Sequence, residues 1–388
     1  MIVGGGPAGS WAACRLARRG ARVRLFDHSH PREKPCGGGV TGRALALVSP
    51  EVDVGALPSV RIETAEFDEP GAGPVTVSLG DADAGPEPPL VVVDRRSFDG
   101  ALLEAACAAG AAHHPERVAH VEAGASGVCV RTASGATYEA DWLIGADGAN
   151  SLVRRSLARP FTRGQLSIAA GCFAHGVTSR EIKIRFVADP PGYIWSFPRR
   201  DHLAIGICAQ GDATSAAPLK AVVDGWLSAS GLVNGARLTR YGWPIPSLGA
   251  ADLARERPAG ARWMLVGDAA GLVDPITREG IFFALVSAGL AADAVVESRS
   301  TDTYLRRAHA TVYPELRRAA RLKRGFFHAD FTPLLVNALR RSAPVRRVMA
   351  DLVAGRQEYR TLKRRLLGTF EVGLAWELLM LEWGRRHA

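Results

Sequence analysis

A glycine-rich hexamer, Gly4-Gly5-Gly6-Pro7-Ala8-Gly9, begins three residues after Met1 and constrains this chain more than any other stretch. It reads G-x-G-x-x-G. Ahead of it lies a short apolar strand, Met1-Ile2-Val3, and behind it an Ala/Leu-rich segment predicted to be helical from Ser10 to Arg19. A second strand, Ala21 to Phe26, follows and ends on Asp27. In that order the first Gly permits a tight turn, the second lets backbone approach a pyrophosphate, and the third lets helix and strand pack closely. The helix N-terminus adds free N–H groups and the positive end of a dipole for phosphates. Asp27, at the end of the second strand, is placed to accept hydrogen bonds from ribose hydroxyls. In a chain with 42 glycines the hexamer alone would also suit an ordinary loop. Strand, helix and Asp27 in register instead predict a dinucleotide-binding βαβ unit. The strand ahead of the turn has three residues, fewer than such units usually carry, which leaves open a short strand or a start upstream.

The chain has 388 residues, 47% of them apolar, enough for two or three packed units. No run reaches the ~20 apolar residues of a spanning helix, and no signal peptide is expected, since the chain goes straight into a nucleotide fold. The six cysteines (Cys14, Cys36, Cys107, Cys129, Cys172, Cys208) are scattered without metal-ligand spacing. That argues against a zinc site or a disulfide framework and for a reducing, cytoplasmic setting.

The net charge of +9 is concentrated at the C-terminus, where residues 301–388 hold 18 Lys/Arg against 8 Asp/Glu. Arg317-Arg318, Arg321, Lys323-Arg324, Arg340-Arg341, Arg346-Arg347 and Lys363-Arg364-Arg365 alternate with Leu, Val and Phe at near-helical spacing. The segment reads as amphipathic helices with basic faces, either solvated or in peripheral contact with an anionic membrane surface. No groove-reading motif accompanies the charge, so nucleic acid is not an expected partner.

The blocks alternate along the chain. Nucleotide-type strand and helix patterns occur up to about Val48, again from Val91-Val92-Val93 into a helix from Ser97 to Ala109, and again at Trp263-Met264-Leu265-Val266-Gly267-Asp268. Between Leu166 and about Ile245 the period changes to two, as in Glu181 to Phe186, which suits an antiparallel sheet roofing a pocket. The expected architecture is α/β. A Rossmann-type dinucleotide-binding domain is expected from residues 1–60, 91–160 and 258–300, a substrate domain from 61–90 and 161–257, and a helical segment from 301–388.

Two later stretches sharpen the cofactor. Gly145-Ala146-Asp147-Gly148-Ala149-Asn150-Ser151 is a strand end and turn. Gly267-Asp268-Ala269-Ala270-Gly271 runs on through Asp274-Pro275 to Glu279-Gly280-Ile281, where a helix begins. The Asp268 carboxylate can take a ribityl or ribose hydroxyl, and the Gly280 and Ile281 amides can stabilise negative charge on a flavin ring. In this order, with the opening hexamer, these motifs resemble the FAD-binding fold of p-hydroxybenzoate-hydroxylase type. Within it, Lys34-Pro35-Cys36-Gly37-Gly38-Gly39-Val40 and Pro191-Gly192-Tyr193-Ile194-Trp195-Ser196-Phe197-Pro198 are similar to signatures of the geranylgeranyl reductase family. The second signature continues in that family, after seven residues, into a G-x-G. Here Gly206-Ile207-Cys208 stands instead, and the Cys is expected to narrow the pocket.

By that resemblance Gly4, Gly6, Pro7, Ala8 and Gly9 hold the pyrophosphate and Asp27 the adenosine ribose. Arg95 lies beside the phosphate and ribityl chain, Val118 offers backbone to adenine, and Asp147 belongs to the same cofactor site. Cys36, Gly37 and Gly38 approach the isoalloxazine, and Gly267, Asp268, Gly280 and Ile281 close the site. Plainer roles stay open. Arg95 also suits a surface salt bridge, Cys36 a small apolar filler, and Tyr193 and Trp195 strand core.

The implied activity is FAD-dependent reduction of carbon–carbon double bonds in a prenyl, geranylgeranyl-like chain, with hydride from the reduced flavin N5. Cys36, Tyr193 and Trp195 are the candidate catalytic and pocket residues, with Cys36, Tyr193 or a bound water as proton donor. NAD(P)H or another external donor would reduce the flavin, although no second dinucleotide fingerprint is present. The competing reading is an oxygen-using monooxygenase or halogenase on the same fold. Of the halogenase motif W-x-W-x-I-P, the stretch Tyr241-Gly242-Trp243-Pro244-Ile245-Pro246 carries only the tail.

Overall fold

In the computed structural model, which describes residues 1–80 and 88–369, strand Ile2–Val3 enters the centre of a six-stranded sheet. It pairs in parallel with Arg24–Phe26 on one side and Leu143–Gly145 on the other, and Trp263–Leu265 and Ala112–His114 extend the two flanks. Trp263–Leu265 is buried along its whole length, and a three-stranded sheet (Val118–Ala123, Val128–Thr132, Thr137–Ala140) joins the same core, Tyr138 packing on Phe26. Helix Pro7–Arg18 packs against helices Arg95–Ala108 and Ile281–Asp293. The apolar stretch from Ile281 to Ser298 is long enough to cross a membrane by length and composition, yet half of it is buried in this packing.

The period-two region forms a seven-stranded sheet in the order Arg237–Pro246, Leu166–His175, His202–Gln210, Gly192–Pro198, Glu181–Val187, Thr64–Asp68, Val75–Ser78. All pairs are antiparallel except Thr64–Asp68 with Glu181–Val187. Alternation sorts its side chains between two cores. Ile194, Ile205 and Ile207 pack under helix Ala216–Ser230 through Leu219, Val223 and Leu227. Tyr193, Trp195, Ile182 and Phe186 point the other way, toward the cavity and the C-terminal helices.

Those helices are Thr301–Thr311, Tyr313–Phe326, Phe331–Arg341, Ala343–Val353 and Tyr359–Leu367. Their apolar faces, including Leu335, Leu339, Val348 and Leu352, share one core with Phe67, Val77 and Phe186 of the sheet. The basic faces expected from the sequence are only partly basic surfaces. Arg321, Arg324, Arg341 and Arg347 are exposed, but Lys323 turns inward to Ser247 and Gln210. Arg340 donates to the backbone carbonyls of Ala72 and Gly73. Lys323 therefore does not belong to an exposed cluster with Arg317 and Arg318. The helix periodicity that turns Ala319 and Leu316 inward carries Lys323 with them. The stretch from 370 on, part of the expected helical segment, lies outside the described residues.

Candidate active site

The glycine turn is built by contact distances. A Cβ on Gly9 would stand 1.8 Å from Gly4 O, so the first helical turn rests directly on the strand end. Gly4 has φ +106°, and its amide donates to Phe26 O at 2.9 Å. Gly6 is different. A Cβ there would meet only the His30 ring, at 3.6 Å, because Gly6 faces an open cavity of about 780 Å³. Gly4, Pro7, Ala8, Asp27, Arg95, Val118 and Asp147 line the same cavity, as do Cys36, Gly37, Gly38, Asp268, Gly280 and Ile281. Gly9 and Gly267 stand behind its wall, packed on Gly4 O and on Ala8 and Ala284.

Asp27 is held by its own loop. Gly5 N donates to its Oδ2 at 2.7 Å, and Ser29 N and His30 N donate to Oδ1 at 2.7 and 2.9 Å. His30 joins two carboxylates, with Nδ1 2.9 Å from Asp27 Oδ2 and Nε2 3.4 Å from Asp99 Oδ2. Burial opposes both charges, but these bonds outweigh it. Asp27 is held well below the ordinary carboxylate range and His30 is raised above its ordinary value.

Arg95 is not a surface salt-bridge residue. It is 3% exposed and donates from Nε and Nη2 to the two oxygens of fully buried Asp99, at 2.9 and 2.8 Å. The chain Asp27–His30–Asp99–Arg95 thus ties the first nucleotide loop to helix Arg95–Ala108. The Asp147 carboxylate accepts from Leu152 N at 2.6 Å and Val153 N at 3.1 Å, which fixes the turn entering helix Leu152–Leu157.

At the other end, Gly280 is the residue before helix Ile281–Asp293, and its Cβ would lie 3.4 Å from Asp268 Oδ1. Asp268 Oδ2 accepts from Lys34 Nζ at 2.9 Å, an ion pair across the cavity that sequence reasoning missed although Lys34 opens the Lys-Pro-Cys-Gly-Gly stretch. Thr41 Oγ1 donates to Glu279 Oε1 at 2.7 Å, and Arg43 pairs with the same carboxylate. Tyr359, from the last described helix, donates its hydroxyl to Asp274 Oδ1 at 3.1 Å. The C-terminal helices therefore grip the loop that leads to Gly280.

The loop of Cys36 to Gly38 is braced from beneath by Arg199, a fully buried arginine just past the Tyr193–Pro198 signature. Its Nε donates to Gly37 O at 3.2 Å, Nη2 to Cys36 O at 3.1 Å and Nη1 to Asp94 Oδ1 at 2.8 Å. Gly38, at φ +82°, has no room for a Cβ, which would fall 2.5 Å from both Arg199 Nη2 and Val93 O. Cys36 Sγ faces the cavity and accepts from Gly38 N at 3.3 Å.

Tyr193 and Trp195 line the cavity as well as belonging to its core. Tyr193 Oη donates to Thr277 O at 3.2 Å, and burial raises this phenol well above its ordinary value, so it stays protonated. Trp195 lies over Gly206, where a Cβ would come within 2.4 Å of the indole. Cys208 does not narrow the pocket as the sequence leads one to expect. It pairs with Tyr193 across the strands, is fully buried and is absent from the cavity wall. Beyond Trp195 the cavity continues between the sheet (Phe67, Ile182, Phe186) and the C-terminal helices (Phe326, Met349, Leu352). Those helical residues were invisible as site residues because they lie well beyond the last motif, Glu279-Gly280-Ile281, and carry no motif of their own.

The charged and backbone-lined end fits FAD. It offers open space at Gly6, a helix N-terminus at Gly6-Pro7, buried carboxylates and a second helix N-terminus at Gly280. A family profile described as FAD binding domain matches residues 1–222. The geranylgeranyl diphosphate reductase of Rhodobacter capsulatus is 30% identical over 353 residues, covering 85% of this chain and 84% of that protein. The chain belongs to the geranylgeranyl reductase family of FAD-dependent oxidoreductases. A menaquinone reductase of Mycobacterium tuberculosis is 31% identical over 87% of this chain and 83% of its own length. Among solved structures, a geranylgeranyl bacteriochlorophyll reductase-like protein from Thermoplasma acidophilum superposes with a TM-score of 0.77. It covers 95% of this chain and 98% of its own, at 23% identity, a likeness of fold. The family resemblance read from the sequence motifs and the α/β architecture with its roofing sheet and terminal helices are both shown.

Proposed function

We propose that this family member reduces carbon–carbon double bonds in a prenyl-type chain. One observation carries the reading. The groove that fits FAD is continuous with an apolar branch lined by residues such as Phe67, Ile182, Ile184, Phe186, Phe326 and Met349. A long hydrocarbon fits that branch, and burial of its apolar surface contributes ~25 cal/mol per Å².

FAD bound against Gly6, Asp27, Arg95, Val118, Asp268 and Gly280 supplies, when reduced, a hydride to one alkene carbon. The rest falls to the chain. Trp195 and Phe197 shape the junction between groove and branch, where an unactivated alkene needs water excluded. The N-terminus of helix Ile281–Asp293 favours negative charge beside the flavin position. The alkene's proton comes from the wall carrying Cys36 Sγ and Tyr193 Oη, directly or through a water. NAD(P)H or a protein donor reduces the flavin, and the exposed arginines of the C-terminal helices (Arg321, Arg324, Arg341, Arg347) hold the enzyme at an anionic membrane surface where such chains reside.

The test is anaerobic. Enzyme is reduced photochemically and mixed with a geranylgeranyl compound, and flavin reoxidation is followed at 450 nm with product mass. Reoxidation with a gain of two mass units per turnover is expected. Reoxidation by oxygen alone, with an oxygen atom entering a product, would establish the monooxygenase reading instead.

A further inference from the structure

Arg278 precedes helix Ile281–Asp293 with φ +62°, in the left-handed region that glycine adopts freely and a side chain does not. Its side chain lines the cavity. Nη1 donates to Ser247 Oγ at 2.6 Å, while Nε is buried with no acceptor among the described residues. The same hydroxyl oxygen accepts from Lys323 Nζ at 2.8 Å, and Lys323 also donates to Gln210 Oε1. Among the described residues neither cation has a carboxylate within ion-pairing distance.

The fully buried arginines are built differently. Arg95 holds Asp99, Arg154 holds Glu256 and Arg199 holds Asp94. Lys34, which also lines the cavity, holds Asp268. Burial first, and then the Arg278 charge, push Lys323 down to about 7. Two half-buried cations sharing one neutral hydroxyl are unfavourable, and so is an arginine in a left-handed turn. An anion between the cations relieves the first cost and gives the second a purpose.

We propose that Arg278 on the cavity wall, with Lys323 and Ser247 directly behind it, forms an anion subsite that takes a phosphate-type group. The site itself stands on these contacts, and only the identity of the group's bearer rests on the reductase reading. The diphosphate of a prenyl substrate and the diphosphate of a nicotinamide donor offer the same chemistry.

FAD-loaded wild type, R278G and K323Q are titrated calorimetrically with inorganic diphosphate at pH 6.5. Wild type binds, and each variant binds at least about tenfold more weakly. R278G melts no lower than wild type, because glycine suits the turn; K323Q leaves the turn untouched and carries the test independently. A parallel comparison of geranylgeranyl diphosphate with geranylgeraniol, and of NADPH, names the bearer. In R278G the KM advantage of the diphosphate over the alcohol disappears if the substrate head sits there, and the KM for NADPH rises if the donor does. No diphosphate binding by wild type, or wild-type binding by R278G and K323Q, overturns the subsite. If diphosphate binds but no prenyl compound reoxidises the reduced enzyme, the reductase reading fails and the subsite stands.

Discussion

The two ends of the cavity are made in opposite ways. The groove end is local. Gly4 to Gly9, Asp27 to His30, Cys36 to Gly38 and Asp268 to Gly280 are short continuous stretches, and most of what they present is backbone or a carboxylate held by its own loop. The apolar branch is assembled over distance, from Phe67 on one strand, Phe186 on a strand more than 100 residues later and Phe326 and Met349 on helices beyond that. A pyrophosphate needs donors at set positions, which a turn supplies. A hydrocarbon needs only enclosed apolar volume, which many different side chains supply. The groove should therefore fail sharply under single substitutions, and the branch should drift.

The sharpest break is expected at Gly6→Val. The protein itself has room for the side chain, whose nearest neighbour is the His30 ring, so the apoprotein should fold and melt like wild type while FAD binding is lost. Calorimetric FAD titration beside a thermal melt checks both halves. A Gly6→Val that retains FAD would place the pyrophosphate elsewhere. Next comes Arg95→Met, which leaves the buried Asp99 carboxylate with His30, at 3.4 Å, in place of its two-pronged arginine partner. A loss of about 3–5 kcal/mol in urea unfolding is expected, and Asp99→Asn made together with it should recover part of that.

Asp268→Ala should weaken FAD by ~1.5–3 kcal/mol, roughly tenfold to a hundredfold, and free Lys34. Unchanged FAD affinity would show that this carboxylate serves Lys34 alone. In the branch, Trp195→Ala and Met349→Trp should leave FAD content intact and shift which chain length is accepted, by several-fold in kcat/KM. Equal loss for all chain lengths would make these residues core and not wall.

The smallest effect is in pH. His30 is raised in the folded state, so its contribution is complete below its ordinary value of 6.5 and disappears as pH rises through the raised folded value. Melting temperature should fall over that window in wild type and lose that slope in His30→Gln. A slope unchanged by His30→Gln would assign it to another group.

The basic helices repeat the contrast on a smaller scale. From charge density, Lys323 belongs with Arg321 and Arg324, but one or two residues along a helix, at about 100° each, separate solvent from core. Lys323 ends beside Ser247, while Arg324 is exposed. Charge density along a sequence does not say which face is buried.

The glycine turn, the Asp27 position, the Cys36 loop, the helix start after Gly280 and the roofing sheet were all legible in the sequence, because each depends on neighbours a few residues away. Glycine spacing, strand period and capping are local properties of backbone sterics and hydrogen bonding. What only the tertiary structure decided were partners and faces: Arg95 with Asp99 instead of solvent, Arg199 beneath the Cys36 loop, Cys208 behind the wall instead of in it, the terminal helices as the far side of the cavity, and Arg278 meeting Lys323 at one hydroxyl. Those outcomes depend on which surfaces pack together, and packing is set by burial summed over the whole chain, not by any one stretch of it.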